Sequence, residues 1–348
     1  MLPGCSNFII TICIFLGQNV SMRRNNTKHL SAAEKLIVAA TFLITAFGFN
    51  LSPSQPHEVF AQAVSACLNR VHIPQEDLHW VYVPESADAL YTEDPLYFLA
   101  GQLIVNEVVD ASYCPAGGLM LNGYANACGM AASLDTVIIV QNLVNEPILQ
   151  AFIDVGTPPV LLKQLIRYES QFWPATQDEI HYGYGHITNI GIRNAIQWNA
   201  DLYAKVCPAG AGAECVSNWR IADDILNSLV ATCPTCPYGV DINVAYRSVD
   251  ILAETLLGYC FQTAQMVYNG TGWHSSLAVD YPTIWKLTLM NYNAGTQCTY
   301  DTIVETFEYT EGPMRWSDVS ANVSGEACIR GLAYANQITT KAFNFPPP

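Results

Sequence analysis

In the segment "VLLKQLIRYESQFW" (residues 160–173), Leu162, Leu165, Ile166 and Glu169 recur at i, i+3, i+4 and i+7 and so share one helix face. A carboxyl is thereby carried on an apolar stripe close to the helix C-terminus, where burial and the negative end of the helix dipole both disfavour the anion. A carboxyl kept protonated in this way can deliver a proton, as a general acid must. A small roll of the helix would instead leave Glu169 at the rim, paired with a base, and the segment alone does not choose between the two. Shortly after it comes "DEIHYGYGHIT" (178–188), which offers Asp178 and Glu179 as a second carboxylate able to activate water. Asp178, Glu179, His181 and His186 would also be a set of metal donors, but their spacing matches no strong ligand pattern, so neither a metal nor another cofactor is expected. Trp173, Tyr182, Tyr184 and Trp198 cluster here as well. Such rings stack on sugar faces and are equally at home in a core. Gly183 and Gly185 suit a tight turn or a close approach of the backbone to a ligand.

The elements that must hold these groups read as helices. Thr157 can cap, Pro158 or Pro159 fits a first helical turn, and Pro174 forbids continuation. Upstream, residues 133–156 predict a helix with Ser133 as N-cap, Pro147 as a kink and Gly156 as stop. Downstream, helices are predicted over 189–206, 217–232, 244–268, 282–291 and 325–342. No stretch alternates enough to require a large sheet, and no period of 20 to 50 residues repeats. The fold class is therefore mainly α. Residues 64–132, rich in proline and cysteine, are expected to form a small cysteine-tied region before a catalytic domain over 133–345, which carries a cysteine- and proline-bearing insertion at about 207–238.

Fifteen basic residues against thirty acidic ones give the 348-residue chain a net charge of −15, which repels a phosphate backbone and argues against nucleic-acid binding. Before residue 64 the chain has the three parts of a secretory signal: Arg23, Arg24 and Lys28, then the apolar run Leu36 to Phe49, then Ala61-Gln62-Ala63 as a cleavage site. That run is short for a bilayer core of roughly 30 Å, so export with cleavage is expected, with retention as a membrane anchor the competing reading. The apolar stretch before Met22 lacks a preceding basic flank and reads as an upstream extension. Ten cysteines follow the leader, an even number that in an exported chain reads as a disulfide framework. Short loops are the cheapest to close, which favours Cys114 with Cys128 and Cys207 with Cys215. "CPTC" at 233–236 admits a redox or zinc reading, but Pro237 and Gly239 place it in a loop, where a structural disulfide is expected.

Three segments taken together, "ESQFWP" (169–174), "GYGHIT" (183–188) and "NYNAG" (291–295), stand in the order of the three motifs of the soluble lytic transglycosylases, and the chain from about 133 to 300 resembles that family. The resemblance implies a lysozyme-like fold and cleavage of peptidoglycan glycan strands outside the cytoplasm, in the cell envelope or as a secreted protein. It also implies Glu169 as the single acid and base, Ser170 as a residue orienting the carboxyl or the substrate, and Tyr292 as the tyrosine whose hydroxyl reaches that carboxyl. Asn293, Tyr184 and His186 would contact substrate. In the plainer reading Ser170 and "NYNAG" merely end helices. His186 departs from the family, which has Gln there; imidazole adds a titrating group and loses the paired amide. One carboxyl suffices in such a mechanism because the sugar's own 6-hydroxyl closes on C1 to give a 1,6-anhydro end. The rival readings are a lysozyme- or chitinase-like hydrolase that also uses Asp178 or Glu179, and an envelope glycan-binding protein without turnover.

Overall fold

The computed structural model describes residues 66–68 and 76–340, and all of them fall within one compact unit, His57–Pro348. The leader, cleavage site and membrane anchor expected from the sequence lie outside the described residues. The chain is mostly helical, 68% helix against 4% strand, so its core is built by helix packing and not by a sheet.

The first helix, α1 (Tyr97–Val105), packs against α2 (Ala127–Asn142), and α3 (Asn145–Val155) follows after a two-residue break. The sequence predicts one kinked helix here; two are present. Asn126, not Ser133, is the N-cap of α2, its side chain accepting from the Gly129 amide, and Ser133 is buried in the middle of that helix. Pro147 sits in the first turn of α3, where its missing N–H costs nothing, so it starts a helix instead of bending one. Gly156 ends α3 at φ 87°, as expected. The stretch Ala127–Val155, with a hydropathy of 1.5, is long and apolar enough to cross a membrane, yet Val137, Val140, Val144 and Ile148 are core residues.

Next comes α4 (Pro159–Glu169), with prolines ahead of and at its first position and every residue from Pro159 to Ile166 buried. Thr157 does not cap it; its hydroxyl donates to the Ala253 carbonyl at 3.0 Å. The helix stops at Glu169, four residues short of the predicted end, because Gln171 and Phe172 take positive φ. Two short strands, β1 (Thr176–Gln177) and β2 (His181–Tyr182), pair antiparallel, and Tyr182 forms a bridge to Ile187. Thr188 caps α5 (Asn189–Trp198), and Asn199 then interrupts the helix predicted to 206 and caps α6 (Ala200–Val206) through bonds from Asp201 and Leu202.

After α7 (Trp219–Asn227), Asp241 caps the central element, α8 (Ile242–Thr271). This 30-residue helix is buried along most of its length, and α3, α5, α9 (Tyr281–Ala294) and α10 (Thr296–Thr310) pack around it. The described residues end with α11 (Trp316–Asn322) and α12 (Glu326–Thr340); α12 lies against both α9 and α4. Trp80, Leu90, Leu99 and Leu103 belong to the same hydrophobic core as α4 and α8.

All ten cysteines after the leader are paired: Cys67–Cys260, Cys114–Cys128, Cys207–Cys215, Cys233–Cys236 and Cys298–Cys328. Two local pairs and the "CPTC" disulfide agree with the sequence. Five disulfides belong to an oxidising, extracytoplasmic environment.

Candidate active site

Glu169 is the last residue of α4, and the backbone immediately after it is unusual. Five of the nine non-glycine residues with positive φ among the described residues, Gln171, Phe172, Asp178, Glu179 and His186, lie between 171 and 186. Such conformations cost of order 1–3 kcal/mol each and persist only where surrounding packing over-determines them. Phe172 is held by complete burial, and Gln171 accepts from the Phe98 amide at 3.0 Å. The turn from Gly183 to His186 is pinned in turn by Tyr292, whose hydroxyl donates to the Gly185 carbonyl at 2.6 Å. A larger residue would be crowded at Gly185, since a Cβ would lie 2.3 Å from Leu252 Cδ1 and 3.0 Å from the Tyr292 hydroxyl.

The result is a partly open carboxyl with a defined neighbour on each oxygen. Glu169 Oε1 accepts a short hydrogen bond from the Tyr334 hydroxyl, and Oε2 lies 3.5 Å from His186 Nδ1. The side chains of Glu169 and His186 are 17% and 13% exposed, enough to be reached from solvent and little enough to be half desolvated. The ring of His181 stands 5.9 Å from that of His186. Burial first, and then the charge of Glu169, push the hydroxyls of Tyr292 and Tyr334 well above the ordinary tyrosine range, so both remain hydrogen-bond donors. Tyr334 is braced by Tyr168, edge to face at 5.1 Å, and Tyr292 by Tyr259 at 5.2 Å.

The three sequence segments therefore meet: Glu169 from the first, Gly185 and His186 from the second, Tyr292 from the third. Several residues stand elsewhere than expected. Tyr292 spends its hydroxyl on the turn, and the hydroxyl on Glu169 comes from Tyr334, which the sequence reading did not single out. A signal for it existed, because Gly331, Tyr334, Ala335 and Ile338 form a buried stripe at helical spacing. Tyr184, expected at the substrate, is 1% exposed and a core residue, turned inward between the two glycines. Ser170 is fully buried and donates back to the Ile166 carbonyl at 3.1 Å, which is the helix-ending role. Asn293 is exposed on the last turn of α9. Trp173 is core, whereas Tyr182 and Trp198 are half-buried.

Asp178 and Glu179 are exposed at the tip of the β1–β2 hairpin, each at positive φ. No group of three or more His, Cys, Asp or Glu suited to a metal occurs among the described residues. A second buried carboxylate, Glu254 on α8, is taken up by Lys205 at 2.8 Å and Asn199 at 2.7 Å. No family model, curated protein or solved structure matches this chain.

Proposed function

We propose that this protein is a lytic transglycosylase of lysozyme-like fold that cleaves the glycan strands of peptidoglycan in the cell envelope or outside the cell, with Glu169 as its acid and base. The observation that carries the reading is the meeting of three segments, far apart in the chain, around one largely buried but solvent-reachable carboxyl at the end of a buried helix. Tyr334 fixes Oε1 and leaves Oε2 as the oxygen available for proton transfer. Glu169 would protonate the departing glycosidic oxygen while the C1–O bond breaks. The sugar's 6-hydroxyl then closes on C1, its proton is taken up in the site, and a 1,6-anhydro end results. The partly desolvated setting of Glu169 strengthens the electrostatic interactions on which this exchange depends.

The test is mass spectrometry of soluble fragments released from purified peptidoglycan, comparing the mature protein with Glu169→Gln. Anhydro-ended fragments from the former and none from a folded variant support the proposal, because the amide keeps the shape but has no proton to give and regain. Fragments heavier by one water would move the reaction to hydrolysis. Undiminished cleavage by the variant removes Glu169 from the chemistry.

A further inference from the structure

We propose that His186 is the second proton-transfer group of this site: it accepts the proton of the attacking 6-hydroxyl and passes it to Glu169. This rests on the transglycosylase reading above and divides between two side chains the work there assigned to one. The argument starts from geometry. Tyr334 holds Oε1 of Glu169 by a hydrogen bond, and beside the remaining oxygen, Oε2, stands His186, its Nδ1 3.5 Å away. An imidazole in that position has its Nε2 on the opposite edge of the ring, so it extends the reach of the carboxyl by one ring width.

The backbone bears the same mark. His186 is held at φ 49°, in the left-handed region, by a turn whose preceding carbonyl is tied to Tyr292. Strain of that kind at a residue aimed at the reacting carboxyl is the pattern of a functional constraint. The titratable groups around the imidazole are Glu169 from α4 and His181 from β2, with the protonated tyrosines Tyr292 and Tyr334 beyond the carboxyl. One anion and no cationic lysine or arginine is paired with it among the described residues, a setting that tolerates a transient imidazolium.

The cycle balances. Glu169 begins as the acid, and His186 as the neutral tautomer carrying its proton on Nδ1. The carboxyl proton goes to the glycosidic oxygen as the C1–O bond to the leaving sugar breaks. Oxygen 6 bonds to C1 and its proton moves to Nε2, giving an imidazolium beside a carboxylate. The Nδ1 proton then passes to Oε2, restoring the acid. The imidazole is left in its other neutral tautomer, which proton exchange with water resets.

The test is His186→Gln, which keeps a polar planar side chain but removes the titrating ring, measured on purified peptidoglycan beside the wild type and Glu169→Gln. We expect kcat to fall by roughly 10²-fold or more with KM changed little, and the acid limb of the kcat/KM profile that follows imidazole protonation to disappear. A folded His186→Gln enzyme, with wild-type circular dichroism, that keeps wild-type kcat and pH profile overturns the proposal, and if Glu169→Gln is inactive in the same assay the transglycosylase reading survives that loss. A wild-type protein that releases no fragments removes both.

Discussion

Gly185→Ala should damage stability and activity together, and the size of both effects follows from what surrounds that residue. Its φ is not in the left-handed region, so alanine is acceptable to the backbone, and the obstacle is space alone. The new methyl would stand 2.3 Å from Leu252 Cδ1, more than 1 Å inside ordinary contact, and 3.0 Å from the Tyr292 hydroxyl. Leu252 is fully buried on the central helix, so its side chain can retreat only by pushing other core residues. Overpacking of this kind costs about 1–3 kcal/mol, and the depth of the overlap places the cost near 2–3 kcal/mol. With a urea slope of about 3 kcal/mol per molar, the midpoint should fall by roughly 0.7–1 M. Relief by the other route, lifting the turn, moves His186 away from Glu169, and a displacement near 1 Å costs of order 10²-fold in rate. Urea denaturation followed by circular dichroism gives the first number and fragment release from peptidoglycan the second. The control is Gly312→Ala, where the nearest atom to a new Cβ is the Thr310 carbonyl oxygen at 3.7 Å and the stability should stay within about 0.5 kcal/mol of wild type. A Gly185→Ala protein as stable and as active as that control would refute the claim that the turn is clamped between Leu252 and Tyr292.

Two further outcomes concern the frame around the site. Removing Cys298–Cys328, which spans 30 residues, by paired serine substitution should cost about 3.5 kcal/mol by loop-closure entropy, against about 2.5 kcal/mol for Cys207–Cys215, which spans 8. Calorimetry of the two double variants should therefore show the larger fall in Tm for the first, and equal falls would contradict the entropic account. Lys163 is fully buried, its ammonium donating to the Leu90 carbonyl and to Asn142 and Asn145, and burial pushes its amine down to about 7 from 10.5. The unfolded chain then binds the extra proton between pH 7 and 10.5, so the Lys163 contribution is lost as pH falls through about 7 and recovered as it rises towards 10.5. Urea midpoints across that range should rise with pH more steeply in the wild type than in Lys163→Met, and parallel slopes would show that the amine is not depressed.

Much of this protein is legible in its sequence wherever the deciding interaction is local. Helical spacing and the absence of alternation give a mainly α chain, Gly156 and Pro159 mark real helix ends, and cysteines separated by 14 and by 8 residues find each other. Glu169 is also found at a helix end on a buried stripe, because periodicity fixes the face a side chain shares. Periodicity does not say what covers that face. The pairing of Cys67 with Cys260 across 193 residues, the approach of Tyr334 to Glu169 from the last described helix, and the inward turn of Tyr184 depend on which elements pack together. Local propensity misjudged boundaries for the same reason: Asn199 breaks a helix because its side chain caps the next one while also bonding Glu254, a partner 55 positions away. The position of Glu169, the proposed proton donor, on a helix face was thus legible in the chain, whereas the hydroxyl that holds it and the imidazole beside it were placed by tertiary packing, since only the folded chain brings residues 169, 186, 292 and 334 within reach of one another.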